Sequence, residues 1–287
     1  MQHFTTDALI LATRDRGDHD KLLTVLAPDF GRFYAILKGA HSLRREERVA
    51  TEPLTYSNMS FYEKNGVKWV KEATLTEAFP GIRMDNEKLF LGAYFAEVAA
   101  ALSDEREPGG EILPLTLNAL YMLSETDRKN EEIKATFEMR AAVIAGFLPD
   151  LSGCAKCGAV PTAGGYLDVM NGALICPACF ARANAMPLPE VDELGQRRIF
   201  CPLSPDALSA LSFVAGAPPK RVFAFRLQSA AAMEEFCRAA EVYLLHHLER
   251  GFDTLDQYKK LLRVNLEFER KQRLYENRTK NFGNTGI

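Results

Sequence analysis

Two Cys-x2-Cys pairs, Cys154-Ala-Lys-Cys157 and Cys176-Pro-Ala-Cys179, stand with eighteen residues between them. Each pair offers two thiolates to one ion from a short turn, and two such pairs complete a tetrahedron. Gly158 follows the first pair, where the knuckle needs a tight turn, and Gly164-Gly165 and Asn171-Gly172 can fold the intervening stretch back as a hairpin. Cys154, Cys157, Cys176 and Cys179 are therefore the expected ligands of a structural Zn2+. With all four positions filled by sulfur, no coordination position is left for a reactive water. The segment is expected to have little core of its own, so metal binding would supply its order. Cys201 and Cys237 lack such partners and read as core thiols.

The first eighty residues read as strands. Ala8–Ala12 is a short apolar run, and Lys21–Leu26 follows the turn at Asp15–Asp18. Pro28-Asp29-Phe30-Gly31 turns into Arg32–Leu37, and a polar loop spans Gly39–Thr51. Leu54–Tyr62 alternates, with Met59 and Phe61 on one face, and the Asn65-Gly66 hairpin signal leads into Val67–Leu75. Five short strands with tight turns predict a small closed barrel, the five-stranded OB-fold.

After Pro80-Gly81 the apolar period becomes helical. Leu91, Phe95, Val98 and Leu102 make one stripe, Leu113, Leu117, Leu120 and Leu123 a second, and Ile133, Phe137, Ile144 and Leu148 a third that Pro149 ends. Glu105–Gly110 is a loop between the first two, and Met186-Pro187-Leu188-Pro189 a linker. Pro205–Gly216 predicts a short helix, and Ser229 is placed to cap a longer one carrying Met233, Phe236, Ala240, Leu244 and Leu248. The fold class is α+β multidomain: an OB-fold over 1–80, helical segments 81–150 and 186–255, a four-cysteine finger over 151–185 inserted between them, and a charged tail over 256–287.

The sequence offers no phosphate-binding Gly-x4-Gly-Lys, no Gly-x-Gly-x2-Gly and no His-Glu-x2-His. His247-Leu248-Glu249 has the His-x-Glu form of zinc deaminases, but it follows the cysteines in an amphipathic stretch, and His246 and His247 read as polar-edge residues. The protein is expected not to be an enzyme. Its opening, MQHFTTD, lacks the basic start and apolar run of a secretory leader, and Leu89–Leu102, broken by Glu97, is too short to span a bilayer. The expectation is a cytoplasmic chain with no membrane partner.

Net charge is −3, so any nucleic-acid contact must rest on local patches. One such patch is residues 32–48, where Arg32, Lys38, Arg44, Arg45 and Arg48 oppose only Glu46 and Glu47, a net +3. Tyr34, Tyr56, Tyr62 and Trp69 surround it, and cations beside exposed rings are how single strands are held. The sequence leaves open which of these rings face outward. Residues 1–80 hold eleven acids and eleven bases, so the patch must be asymmetric to bind. Arg32, Lys38, Arg44 and Arg45, with Lys21, are the expected phosphate contacts.

The run Asp7-Ala-Leu-Ile-Leu, Asp20-Lys-Leu-Leu-Thr-Val-Leu-Ala-Pro-Asp-Phe-Gly-Arg32, Lys38-Gly39-Ala40 and Glu52-Pro-Leu54 closely resembles the opening of the bacterial RecO recombination mediators. Phe137-Glu-Met-Arg140 and Gly146-Phe-Leu-Pro-Asp-Leu-Ser-Gly-Cys154-Ala-Lys-Cys157-Gly extend the likeness, which covers about residues 5–262. The resemblance implies an OB-fold, a helical domain and an embedded zinc finger. It also implies nucleoid-associated binding of single- and double-stranded DNA, strand annealing, and RecR as partner. Contact with the acidic C-terminal tail of single-stranded-DNA-binding protein and help in loading RecA are implied as well. Arg140, beside the Ile133–Phe137–Ile144 stripe, is the expected contact for that tail.

One departure stands out. The family pattern ends near Tyr258-Lys-Lys-Leu-Leu262, whereas this chain runs on for 25 residues, and from Lys259 onward eight bases face three acids. This tail reads either as a further DNA-binding arm or as a solvated helix. The competing function is a protein-interaction adaptor whose barrel never touches DNA.

Overall fold

A computed structural model describes residues 2–42, 44–105, 108–185 and 198–283. The chain begins with β1 (Gln2–Arg16), β2 (Asp20–Ala27) and β3 (Gly31–Leu37). A 3-10 turn at Ala40–Ser42 and α1 (Arg45–Val49) precede β4 (Tyr56–Lys64) and β5 (Val67–Glu77). These five strands close into a barrel of order β1-β2-β3-β5-β4, with β3 and β5 parallel and every other pair antiparallel. This is the expected OB-fold.

The apolar run Ala8–Leu11 is continuous because β1 is buried on both faces. Ala8 and Ile10 point into the barrel with Leu23, Val25, Phe33, Met59 and Phe61. Leu9 and Leu11 point outward into the core of the helical body. A strand covered on one side only would have shown alternation. The fourth strand starts later than the sequence predicts. Leu54 has φ +61 and tucks into the helical core, and its N–H donates to the Ile10 carbonyl at 2.8 Å.

The helical body comprises α2 (Pro80–Arg83), α3 (Asn86–Ala101), α4 (Ile112–Glu125) and α5 (Asn130–Ile144). The third stripe ends sooner than Pro149. Gly146, at φ +95, takes the left-handed residue of a Schellman cap, with Phe147 N–H bonded to Ala142 O and Gly146 N–H to Val143 O. Next come β6 (Asp150–Cys154), β7 (Gly165–Asp168), β8 (Ala173–Ile175), α6 (Pro177–Ala185) and β9 (Phe200–Leu203). The sequence reading misses β9, a strand of only four residues that pairs with β7 and completes a sheet of order β6-β8-β7-β9. The linker expected at 186–189 lies outside the described residues.

The chain continues through α7 (Pro205–Gly216), α8 (Ala230–His247) and α9 (Asp253–Gly283). Ser204 and Ser229 cap α7 and α8 by accepting the N–H of Ala207 and of Ala232. One apolar core joins α3, α4, α5, α7, α8, the start of α9 and one face of the β7–β8 hairpin. No helix among the described residues is long and apolar enough to cross a membrane.

Candidate metal centre and nucleic-acid interface

The first cysteine knuckle leaves the end of β6. Cys154 N–H donates to Ala159 O, and Gly158 N–H closes the turn onto Cys154 O, both at 2.8 Å. Gly158 sits at φ +72, a conformation that a side chain would strain. The second knuckle is the junction of β8 and α6. Pro177 opens the helix, and the N–H of Cys179 points at the Cys176 sulfur at 3.4 Å. A helix start favours a thiolate there.

The four sulfurs lie within 4.8 Å of one another, and Cys157 and Cys176 are 3.9 Å apart. A tetrahedral Zn–S bond of about 2.3 Å places sulfurs about 3.8 Å apart, so the cluster fits such an ion. Burial raises the Cys154 thiol, but backbone N–H groups from Cys176, Lys156 and Cys157 outweigh it and bring it down to about 6. Cys179 moves the other way. Sulfur contacts from Cys157 and Cys176 push it up to about 11, with burial adding, although Arg182 donates to it at 3.0 Å. Four crowded sulfurs cannot all ionise beside one another; a divalent cation is what would let them.

The finger leans on the main core of the helical body. Leu167, Val169 and Leu174 of its hairpin are fully buried in the main core, as is Cys201 of β9. Phe180 of α6 stacks on Tyr166 and meets Phe200 edge-on over the sulfur cluster. Cys237, on α8, is half-buried; burial raises its thiol to about 12, and it faces Glu131 O at 3.3 Å. His247 stands outside the cysteine cluster. It lies flat against Phe147 and edge-on to Tyr243, and among the described residues the four cysteines form the one metal-capable group.

The barrel exterior carries a row of rings. The register sets His3 opposite Tyr62, and Tyr62 opposite Trp69. Tyr62 and Trp69 stack at 6.3 Å between centroids, His3 is 6.2 Å from Tyr62, and Lys38 Nζ caps Trp69 at 4.6 Å. All three rings face outward, and Phe61, next to Tyr62 on β4, faces the other way and fills the interior. Tyr34 is also outward, at 44% exposure, with Arg32 Nη1 on its hydroxyl at 3.0 Å. Tyr56 faces the helical body instead. Sequence reasoning missed His3, since its place in the row depends on a strand partner sixty residues away.

The loop after β3 is a short helix, not a plain loop. Arg44 is exposed just before α1, Arg45 opens that helix, and Arg48 is exposed at its end. Glu46 and Glu47 line a cleft of about 710 Å³ together with Glu72 of β5. Lys21 is half-buried on β2. Arg32 is partly engaged by the body, its Nε donating to Ser103 O at 3.0 Å.

Arg140 departs furthest from expectation. Residues Glu132–Ala142 of α5 are all buried, so the third stripe has no open edge. Arg140 is 8% exposed, with Nη2 on the exposed Glu111 carboxylate at 2.7 Å and Nη1 on Ala215 O at 3.0 Å.

Residues 1–79 match the family model described as Recombination protein O N terminal, and residues 83–194 match that described as Recombination protein O C terminal. The chain belongs to the RecO family. A DNA repair protein RecO of Acetivibrio thermocellus is 26% identical over 264 residues, 92% of this chain and 99% of that protein. That of Symbiobacterium thermophilum is 27% identical over 254 residues, 87% and 94% of the two chains. The RecO of Nocardioides sp. is 25% identical over 257 residues, 88% and 97% respectively. Each of these matches spans most of the chain.

Proposed function

We propose that this chain is a non-catalytic mediator of DNA repair and recombination that binds single- and double-stranded DNA and anneals complementary strands. The observation that carries this reading is the ring row His3–Tyr62–Trp69, capped by Lys38 on the outside of the barrel. Bases would stack on the rings, and phosphates would meet Lys38, Arg44 and Arg45, with Arg32 and Lys21 at the margin. Residues 1–80 would hold DNA, 81–150 and 186–255 would form the body, 151–185 would hold a structural Zn2+ on its four cysteines, and 256–287 would project. RecR would be a partner, and loading of RecA onto coated strands the outcome. Nothing in this reading calls for a chemical step.

Neutralising roughly four or five phosphates gives a log–log salt slope near about −3 on single strands. Anisotropy of a labelled oligonucleotide across a salt series should return that slope for the wild type. The triple change Lys38→Glu, Arg44→Glu, Arg45→Glu should abolish binding at moderate salt. Unaltered binding by the triple variant would remove the barrel loop from the site.

We place contact with the acidic tail of single-stranded-DNA-binding protein at Arg140, in exchange with Glu111. The exposed Glu111 carboxylate holds the seat a peptide carboxylate would take. Glu111→Gln should tighten binding of a tail peptide several-fold and Arg140→Gln should weaken it, with DNA affinity unchanged in both. Equal peptide affinity across the three proteins would rule Arg140 out.

A further inference from the structure

The four sulfurs of the cluster are not equivalent. Cys154, Cys176 and Cys179 keep 2%, 9% and 7% exposure, whereas Cys157 is open to solvent. Ala155, Lys156 and Gly158 are exposed around it, so the first knuckle presents this residue outward. Phe180 and Phe200 pack on the other three cysteines, together with Ile175.

Hydrogen bonding divides the sulfurs the same way. The Cys176 N–H points at the Cys154 sulfur at 3.3 Å, the Cys179 N–H at the Cys176 sulfur, and the Arg182 guanidinium at the Cys179 sulfur. An N–H on a thiolate draws on its charge and damps its attack on an electrophile. Cys157 meets the Cys176 sulfur at 3.9 Å and, among the described residues, no N–H. It is the most accessible and the least damped nucleophile of the four.

We propose that Cys157 is a modification site, the sulfur that peroxides and thiol-directed reagents take first, with Cys176 as the thiolate that resolves it. The proposal rests on the reading of the four sulfurs as a zinc ligand set, since a bound ion keeps them as thiolates.

The chemistry balances with hydrogen peroxide as the oxidant. The Cys157 thiolate attacks one peroxide oxygen, the O–O bond breaks, hydroxide leaves, and the sulfur becomes a sulfenic acid. The Cys176 thiolate then attacks that sulfur. An S–S bond forms, the S–O bond breaks, and a second hydroxide leaves. Two electrons pass from the two sulfurs to the peroxide, and the hydroxides take protons from solvent. The disulfide withdraws one ligand from each knuckle, and the two sulfurs left are too few to hold the ion. Helix α6 is then left to the contacts of Phe180 with Tyr166 and Phe200, while Leu167, Val169 and Leu174 keep the hairpin in the core.

The test uses the zinc-loaded full chain. Limiting iodoacetamide followed by peptide mass spectrometry should find Cys157 alkylated at least about tenfold ahead of Cys154, Cys176, Cys179 and the buried Cys201. Hydrogen peroxide with a chromophoric chelator present should release about one zinc per chain as a Cys157–Cys176 disulfide forms, and dithiothreitol with added zinc should restore the starting protein. Cys157→His keeps a fourth ligand without the attacking sulfur, and should slow peroxide-driven release at least about tenfold. The alkylation order is read on the wild type and stands whether or not the variant folds. First alkylation at Cys154, Cys176 or Cys179 would overturn the proposal with zinc still bound, as would release from Cys157→His at the wild-type rate. A disulfide that omits Cys176 would overturn its resolving role. Wild type that carries no zinc would overturn the ligand-set reading and the proposal with it.

Discussion

Replacing Cys176 with serine is expected to strip the protein of its metal and to lower its melting temperature by roughly 10 °C or more. Wild type should release about one zinc per chain when its thiols are blocked in the presence of a chromophoric chelator, and the variant close to none. The reason lies in the geometry of the cluster. Cys176 is the sulfur that faces Cys157 at 3.9 Å and receives the Cys179 N–H, so its loss opens both knuckles. The energy lost should nevertheless stay below the roughly 10–16 kcal/mol that zinc contributes to isolated fingers. Here Leu167, Val169 and Leu174 keep the hairpin pinned in the main core. A local opening of α6 and the first knuckle is therefore expected, with the α8 end of the sheet intact. Cys201→Ser and Cys237→Ser serve as controls and should leave zinc content unaltered. Wild-type protein free of metal, or a melting temperature indifferent to Cys176→Ser, would show that the sulfurs are no ligand set.

What the sequence disclosed and what it hid follow from how far apart the interacting residues lie. Elements set by local chemistry were legible: Ser204 and Ser229 cap the helices expected of them, and Asn65-Gly66 makes the hairpin it signals. The cysteine spacing pointed to one cluster, because each pair is local and the intervening hairpin closes on itself. Long-range features were not legible. The strand β9 is four residues long and exists because β7 offers it a partner across thirty residues. Arg140 looked like an edge residue because a helical stripe shows one covered face, and nothing local reveals that α7 covers another. The ring row on the barrel needed register, which a single strand does not carry. The same limit applies to Glu138, whose setting is completed by Tyr94 of α3 and Glu241 of α8, both far from it in the chain.

That residue supports the second large effect. Glu138 is fully buried on α5, accepting from Tyr94 of α3 at 2.8 Å and from Lys134 at 2.9 Å. Lys134 Nζ also reaches Glu241 of α8 at 2.7 Å, and Glu241 holds Lys259 of α9 at 2.5 Å. The chain of charges ties four helices together and fixes where α9 begins. Lys134→Met should cost about 3–5 kcal/mol, because it leaves a buried carboxylate without its cation.

The pH dependence has a definite sign. Burial already raises the Glu138 carboxyl, while Lys134 and Tyr94 pull it back. Without the ammonium its folded-state pKa rises further above the unfolded value of about 4.3. Between those two values the folded state binds more protons than the unfolded one, so stability falls as pH rises through the window. Urea unfolding of Lys134→Met should thus show a steeper loss from pH 5 to pH 8 than wild type shows. Adding Glu138→Gln removes the titrating group while still accepting from Tyr94. The double variant should recover at least half of the lost stability and lose the extra slope. A single variant as stable as wild type, with the same pH profile, would mean that water replaces the ammonium and that the cluster does not set the position of α9.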